Sequence, residues 1–301
     1  MSIIEKALAK IREGPRSDSI GANASEAVFG ALSPVDAQRV PQSGQTHQAA
    51  FSTARRIVIN QDGLRAAGLL PPPHQDREIS EQYRQIKRPL IANATGRGTT
   101  ALSNAHVIMM ASALPGEGKT FTAINLGFSM AREKDISVLL VDADSPKPHI
   151  SKLLGAAESP GLLDLLQNEH LDVESMILRT DVPGLSLLPS GKHSEQATEL
   201  LASERMRAVI TRLAQGDARR MVLLDSPPLL LTTEARALAA VSGQVVLVVR
   251  AAHTNQQTVL DALSYLEGRS VALVLNQNTS AAPTAYYGYA ETVSAKTKPR
   301  N

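Results

Sequence analysis

A glycine-rich loop between an apolar run and a helical pattern constrains the fold of this chain more than any other feature. Residues 113–120 read ALPGEGKT and follow the apolar segment 106–111. The residues after the loop, FTAINLGFSMAREK, have helical periodicity. A strand, a glycine loop ending in Gly-Lys-Thr and a helix together form the context that a phosphate-binding P-loop requires.

The residue types in this loop suit a bound phosphate chain. Gly116 and Gly118 allow backbone N–H groups to approach an anion, and the positive end of the following helix adds to the attraction. Lys119 would reach the outer phosphates, and the Thr120 hydroxyl would hold Mg²⁺. Ala113 stands at the first position of the motif, where the pattern has glycine, so a chance glycine-rich turn is the alternative interpretation.

Two further apolar segments end in aspartates. Segment 137–141 runs into Asp142 and Asp144, and segment 220–224 ends at Asp225. Two carboxylates beside a triphosphate repel it unless a cation lies between them, and Mg²⁺ prefers oxygen ligands. A carboxylate in that place could also accept a proton from an attacking hydroxyl. A helix cap or turn would explain one aspartate of the first pair but not both.

The regular alternation of apolar strands and helices from Glu78 onward predicts the fold class. It is α/β, a three-layer P-loop NTPase fold with a mostly parallel sheet covered by helices on both faces. Ligands of such sheets bind at the carboxyl ends of the strands, where the loop and the aspartates lie. The expected strands are 106–112, 137–141, 185–188, 220–224, 244–249 and 271–275, and the expected helices are 80–93, 118–133, 161–167, 198–214 and 255–267, the last opened by a capping box of Thr254 and Gln257.

Changes in composition predict five segments. The first is an amphipathic helix that docks on its own domain or contacts a partner or membrane surface, and the second is a flexible linker rich in Gly, Ser, Ala, Pro and Gln. A small extension with a strand at 56–59 and a short helix comes before the P-loop domain, and a tyrosine-containing tail follows it. The segments are 1–13, 14–50, 51–75, 76–280 and 281–301.

The bulk composition excludes several kinds of site. With no cysteine, the chain has no disulfide and no thiolate metal site, and its seven histidines never fall in a metal-ligand spacing. A net charge of +2 gives no electrostatic argument for nucleic acid. No uninterrupted apolar stretch is long enough for a membrane span, and no secretory signal is present, so the chain is expected in the cytoplasm.

Three motifs carry a resemblance to a known family. ALPGEGKTFTAINLG, VLLVDADSPKPHISKLLG and VLLDSPPLLLTTEARALA resemble the Walker A, A′ and B motifs of bacterial tyrosine kinases, the BY-kinases. These kinases belong to the deviant P-loop ATPases, which include chromosome- and septum-positioning proteins. The likeness covers residues 78–278. MSIIEKALAKIREG, EQYRQIKRPLIANA, LRAAGLLPP and ATELLASERM further resemble the tyrosine autokinases found beside exosortase and exopolysaccharide loci.

The resemblance implies a role for each matching residue. Catalysis falls to Lys119, Asp142 as the base, Asp144 as its partner and Asp225. ATP is bound by the loop and by the end of the last strand, and Mg²⁺ by one hydroxyl and two carboxylates. The ATP-binding residues are Pro115, Gly116, Glu117, Gly118, Lys119, Thr120, Phe121 and Asn276, and the metal ligands are Thr120, Asp142 and Asp225.

The resemblance also implies an oligomer and a set of phosphate acceptors. The family's oligomer contact, Glu-x-x-Arg-x-x-Arg, appears here as Glu81, Arg84 and Lys87, although the first two also have the spacing of an ordinary helix ion pair. The segment AYYGYAE is an acceptor cluster beside a kinase-like site, whereas accidental clustering is the alternative. Its acceptors are Tyr286, Tyr287 and Tyr289.

The expected function is an ATP-dependent protein-tyrosine autokinase that regulates exopolysaccharide biosynthesis and export. The implied partners are a separate inner-membrane polysaccharide co-polymerase as activator, further copies of the chain and a protein-tyrosine phosphatase, with no nucleic acid. The chain would then lie at the inner membrane through its partner. One alternative is a positioning ATPase of the ParA or MinD type. Those ATPases carry a signature lysine five residues before the catalytic one, and this chain has Leu114 at that position. Another is a nucleotide-bound regulatory subunit without catalysis, because Pro146 replaces a family arginine.

Overall fold

A mostly parallel sheet of eight strands forms the centre of the molecule, in a computed structural model that describes residues 55–98 and 101–278. The strand order is β1-β4-β5-β3-β6-β2-β7-β8. All neighbours pair in parallel except β4 and β5, which are antiparallel. The strands are β1 Arg56–Ile57, β2 Val107–Ser112, β3 Ser137–Asp142, β4 Leu178–Thr180, β5 Leu185–Leu188, β6 Arg220–Asp225, β7 Gln244–Arg250 and β8 Ser270–Asn276.

Helices cover both faces of this sheet because its central strands are apolar on both faces. In β2, Val107 and Met109 pack into one core, and Ile108 and Met110 pack into the other, as the two-residue period of a strand requires. Helices α5 to α9 supply the first core, and α1 to α4 supply the second. The helices are α1 Gln61–Ala66, α2 Asp76–Ala94, α3 Lys119–Ala131, α4 His149–Leu153, α5 Leu162–Gln167, α6 Ala197–Leu201, α7 Glu204–Gln215, α8 Thr233–Val241 and α9 Gln256–Ser264.

The register of the central strands brings three chain segments to one edge of the sheet. In the pairing of β3 with β6, Asp142 lies opposite Asp225, and in the pairing of β6 with β2, Asp225 lies opposite Met110. The P-loop leaves β2 two residues after Met110 and enters α3 at Lys119. The predicted α/β fold is therefore confirmed, and the motifs meet at the carboxyl ends of the strands.

Most of the predicted strands and helices are confirmed with small shifts at their ends, but two helix predictions were wrong in detail. The helix predicted at 198–214 is interrupted, since the Ser203 side chain accepts a hydrogen bond from Met206 N at 3.2 Å and starts α7 anew. The cap of α9 is Asn255, whose side chain accepts from Thr258 N at 2.8 Å, and not the predicted capping box of Thr254 and Gln257.

Other elements were missed or lie beyond what the structure describes. β4, α4 and α8 had no counterpart in the sequence analysis, and β1 ends at Ile57, two residues before the predicted end. The predicted segments 1–13, 14–50 and 281–301, the last with all three acceptor tyrosines, lie entirely outside the described residues. Within 55–98 and 101–278, no helix is both long enough and apolar enough to span a membrane.

Candidate active site

The P-loop has a backbone shape that only glycine adopts easily at two positions. Gly116 has φ of 79° and Gly118 has φ of 92°, both in the left-handed region. A Cβ at position 118 would also collide with the side-chain nitrogen of Asn276. The loop then enters α3 directly, so its backbone N–H groups lie at the positive end of a thirteen-residue helix.

Glu117 holds this loop in shape from inside the protein. Its side chain is buried, with one carboxylate oxygen accepting from Leu114 N at 2.8 Å and the other from the Thr254 hydroxyl. Its carbonyl oxygen accepts from Asn276 Nδ2 at 2.9 Å. Glu117 was predicted as an ATP-binding residue, and because Leu114 and Thr254 engage both of its carboxylate oxygens, its backbone N–H is the part that could bind an anion.

Lys119 and Thr120 bring the P-loop and the second aspartate motif together. Lys119 Nζ lies 3.4 Å from Asp225 Oδ1 and 3.5 Å from Asp144 Oδ2. The Thr120 hydroxyl donates to Asp225 Oδ2 at 2.9 Å. The structure therefore places four of the predicted site residues, from three motifs, in direct contact.

Asp142 belongs to the same site but has a different set of partners. Its Oδ2 accepts two hydrogen bonds from Ser151, from the backbone N at 2.7 Å and from the hydroxyl at 2.6 Å. Its Oδ1 is buried and receives no hydrogen bond from any described residue, and the same is true of the buried hydroxyl of Ser145. Ser190 N donates to Ser151 Oγ at 2.9 Å and so holds this hydroxyl in place.

The electrostatics of the two buried aspartates follow from these contacts. Burial raises the pKa of Asp225, and the charge of Lys119 and the hydrogen bond from Thr120 oppose that rise. Burial also raises the pKa of Asp142, to about 7, despite the hydrogen bonds from Ser151, while the charges of Asp225 and Asp144 add to the increase. The site thus carries an excess of negative charge that a cation would relieve.

The donor set fits magnesium. The groups that meet here are one hydroxyl and three carboxylates, all oxygen donors, and one carboxylate oxygen is buried without a hydrogen bond. Magnesium in nucleotide sites takes only one or two carboxylates and completes its shell with phosphate oxygens and water. Within 55–98 and 101–278, no group of three or more His, Cys, Asp or Glu side chains is arranged so that it could hold a metal ion by itself.

The remaining residues that were predicted to bind ATP lie in different surroundings. Pro115 is exposed at the tip of the loop, and Phe121 packs half-buried against the second core. Asn276 contacts the loop itself at Glu117, as described above, rather than open space. Ser151 was missed by the sequence analysis, because nothing in its local sequence marks a serine at that place as a partner of Asp142.

The predicted oligomer contact is only partly available on the surface. Glu81 and Arg84 form an exposed ion pair with each other, which was the alternative interpretation of their spacing. The Lys87 side chain, by contrast, is buried within the chain, and the oligomer contact stays a prediction. Lys87 Nζ donates to Ser129 O at 2.7 Å and lies 2.7 Å from Glu133 Oε1.

Comparison with known proteins places the chain in a family. Residues 105–272 match the family model described as "AAA domain", which is more than half of the chain. The chain belongs to this AAA domain family. The matched range contains the P-loop and all three aspartates of the site, so the family assignment concerns the region that carries the chemistry.

Several relatives of the chain are bacterial tyrosine-protein kinases by name. The chain is 33% identical over 189 residues to "Putative tyrosine-protein kinase EpsB" of Ralstonia nicotianae, which covers 62% of this chain and 24% of EpsB. It is 29% identical over 213 residues to "Tyrosine-protein kinase YwqD" of Bacillus subtilis, covering 70% of this chain and 85% of YwqD. The chain thus spans about a quarter of the length of the first relative and most of the second.

A solved structure gives the same result for the fold. The kinase domain of the Escherichia coli tyrosine kinase ETK superposes with a TM-score of 0.58 at 26% identity, over 70% of this chain and 80% of that one. The predicted resemblance to bacterial tyrosine kinases is confirmed by these likenesses, and the fold is that of the P-loop ATPases.

Proposed function

We propose that this chain is an ATP-dependent protein-tyrosine kinase that phosphorylates its own tyrosines and regulates exopolysaccharide biosynthesis and export. The observation that carries the proposal is the contact of Lys119 and Thr120 with Asp225, next to Asp142 with one unbonded buried oxygen. The kinase names of the relatives support a tyrosine acceptor. The acceptors would be Tyr286, Tyr287 and Tyr289.

Binding of the nucleotide would use the P-loop as a rigid cradle. The backbone N–H groups of 116–120 would surround the β- and γ-phosphates, and Lys119 would exchange its two carboxylate contacts for the γ-phosphate. Phe121 and Asn276 would border the nucleotide near the base. Mg²⁺, held by Thr120, Asp142 and Asp225, would neutralise charge on the phosphates when bound.

The transfer step would place Asp142 as the proton acceptor. The tyrosine oxygen attacks the γ-phosphorus, a bond from oxygen to phosphorus forms, and the bond to the bridging oxygen of ADP breaks. The hydroxyl proton passes to a carboxylate oxygen of Asp142, whose other oxygen Ser151 holds in place. Asp144 would orient Lys119 through their 3.5 Å contact, and ADP leaves with the electron pair of the broken bond.

The partners of such a kinase are part of the proposal. We expect a separate inner-membrane polysaccharide co-polymerase as activator, a homo-oligomer that includes the exposed Glu81 and Arg84, and a protein-tyrosine phosphatase that reverses the modification. The chain would then work in the cytoplasm, at the inner membrane, through its partner and not through a span of its own.

Labelled ATP tests the reaction class. The full chain is incubated with γ-labelled ATP and Mg²⁺, and phosphotyrosine is located by mass spectrometry, with Lys119→Met as the matched variant. Phosphate on residues 286–289 in the wild type alone is the expected result. ATP hydrolysis without phosphotyrosine would instead indicate a positioning ATPase, and ATP binding without hydrolysis or transfer would indicate a regulatory subunit.

A further inference from the structure

An open cleft with a basic rim lies on the face of α3 that is turned away from the aspartates. Helix α1, the turn after it, the first half of α2 and the second half of α3 enclose about 300 Å³. Its lining includes four arginines, two aromatic rings and one aspartate, which are Arg65, Arg77, Arg84, Arg132, Tyr83, Phe128 and Asp76. None of these residues takes part in the catalytic site, and Arg84 also belongs to the proposed oligomer contact.

The arginines of this cleft are only partly neutralised. Arg65 lies 3.2 Å from Asp76, and Arg84 pairs with Glu81. Arg77 and Arg132 are exposed and form no ion pair within 55–98 and 101–278. A guanidinium group binds phosphate through two parallel hydrogen bonds, so a pair of unpaired arginines at the rim of a cleft suits a phosphorylated ligand.

The inner wall of the cleft suits an aromatic ring. Tyr83 is buried and Phe128 is half-buried, and the two lie on α2 and α3. An aryl group that entered between these helices would pack against both rings, since aromatic pairs are favourable in offset or edge-to-face arrangements. An apolar wall beneath a cationic rim matches an aryl phosphate better than it matches a free anion, which has nothing to pack against the rings.

We propose that this cleft binds a phosphotyrosine of the same chain, carried by the segment 281–301. The inference rests on the proposed function for the source of the phosphate, but the binding itself does not depend on which enzyme adds it. The cleft would then hold the modified segment on the outer face of α2 and α3, away from the nucleotide.

The distance between the last described residues and the cleft allows this contact within one chain. Gln277 is fixed at the P-loop, because its Nε2 donates to Gly116 O at 3.3 Å. From Gly118 to Arg132 the path along α3 rises about 21 Å, at 1.5 Å per residue. The eight residues from Asn278 to Tyr286 can span roughly 26 Å when extended, so the first acceptor tyrosine reaches the cleft.

The charge of the segment makes the contact depend on modification. Residues 281–301 contain three basic side chains and one acidic side chain, which gives a net charge of +2. This positive segment is repelled by the basic rim of the cleft. Each phosphate adds about −1.5 to −2 charges at neutral pH, so two phosphates reverse the sign of the segment.

Binding of a synthetic peptide tests the proposal without any kinase reaction. The ligand is fluorescein-labelled peptide 281–301, either unmodified or phosphorylated on its three tyrosines. The protein is the full chain with all three tyrosines changed to Phe, so that its own segment cannot carry phosphate. Fluorescence anisotropy should show the phosphorylated peptide binding at least tenfold more tightly, with an affinity that falls as salt rises.

Substitutions locate the binding site. The double variant Arg77→Ala with Arg132→Ala should weaken binding of the phosphorylated peptide at least tenfold, and circular dichroism checks that it is folded. The matched control is Arg88→Ala, an exposed arginine on α2 that does not line the cleft, and it should change the affinity less than twofold. Equal affinities for the two peptides, or a double variant that binds like the control, would overturn the proposal.

Two further arms separate the possible causes. Inorganic phosphate at a concentration equal to the peptide's dissociation constant should not displace the peptide. Displacement by phosphate alone would show that the cleft is a general anion site and would overturn the proposal. Sedimentation should show one peptide per monomer, whereas binding only to a dimer would mean that the cleft is an interface between copies. Unchanged binding in a Lys119→Met background would leave the cleft proposal standing even if the kinase proposal failed.

Discussion

Asp142 and Asp225 lie opposite each other on adjacent strands, and both are fully buried, yet their surroundings differ. Asp225 has a cation 3.4 Å from one oxygen and a hydroxyl 2.9 Å from the other. Asp142 has two hydrogen bonds on one oxygen and none on the other. Burial raises the pKa of both carboxyls, but only Asp225 has a positive charge in contact to compensate it.

The difference separates a residue that organises the site from one that acts in it. Asp225 joins the P-loop to the sheet, so the folded protein depends on its charge. Asp142 keeps an oxygen without a partner in a site short of positive charge, and this carboxylate can take up a proton or contact a cation. Active sites often retain groups that lower the stability of the fold where the reaction requires them.

Replacement of Lys119 should have the largest effect on the rate of phosphate transfer. It also leaves Asp225, like Asp142, without a cation in contact. Lys119→Met removes the cation that contacts Asp225 and Asp144 and that would reach the γ-phosphate. We expect phosphotyrosine formation to fall by about 10³-fold or more, because a charge aimed at the transferring group is lost. Single-turnover rates with labelled ATP measure this, and a rate within tenfold of the wild type would contradict it.

Neutralising Asp225 should lower the free energy of unfolding more than neutralising Asp142. Asp225→Asn removes one of the two carboxylates beside the buried Lys119 and leaves only Asp144, so the free energy of unfolding should fall by about 2 kcal/mol at pH 8. Asp142→Asn removes a buried charge without a cationic partner, so the change should stay within about 1 kcal/mol and can be stabilising. Urea unfolding measures both, and equal losses would show that the two sites do not differ.

The difference in the free energy of unfolding between the wild type and Asp142→Asn should depend on pH. Since the folded pKa of Asp142 is raised from 3.8 to about 7, the native state keeps a proton that the unfolded chain has released. This contribution is present below the unfolded pKa and is lost as pH rises through about 7. The wild type should therefore lose stability relative to Asp142→Asn between pH 5.5 and pH 8.

Asp217 supplies the control of opposite sign for that titration. A backbone hydrogen bond from Arg219 is the main cause that lowers its pKa, so its contribution is present above the unfolded pKa and is lost as pH falls. The wild type should therefore exceed Asp217→Asn in free energy of unfolding by less at acidic pH than at neutral pH. Unfolding curves at pH 3.5, 5.5 and 8 measure both differences, and differences that move in the same direction would contradict the assignment.

The smallest effect should come from the brace of the P-loop. Thr254→Val removes the hydroxyl that donates to the buried carboxylate of Glu117, while Leu114 N remains bonded to it. We expect the KM for ATP to rise about fivefold with little change in kcat, since one hydrogen bond is worth about 1 kcal/mol. Thr258→Val is the matched control, because the Thr258 hydroxyl contacts only Asn255 on the surface.

The site could be predicted from the sequence because its motifs are local. A glycine loop before a helix, and aspartates after apolar strands, can be recognised without knowing how strands pair, and Lys119, Asp142 and Asp225 do converge. The partners that distinguish the two aspartates were out of reach. The contact of Ser151 with Ser190, and that of Glu117 with Thr254, join residues far apart in the chain and depend on the final packing.

Two further features depend on the final packing in the same way. The sequence motif names Lys87 but does not show that the lysine is buried, with its Nζ bonded to Ser129 O and Glu133. Strand β4 has three residues and lies between the edge strand β1 and its antiparallel partner β5. A segment of that length has too few residues for a period of two to be recognised.

A crystal structure of the full chain with Mg²⁺ and a non-hydrolysable ATP analogue tests the central claim most directly. The expected result is one nucleotide in the P-loop, with Lys119 moved from Asp225 to the γ-phosphate and with Thr120, Asp142 and Asp225 surrounding a single metal ion. A nucleotide bound elsewhere, or a Lys119 still paired with Asp225 beside a bound nucleotide, would contradict the claim that these three motifs form one kinase site.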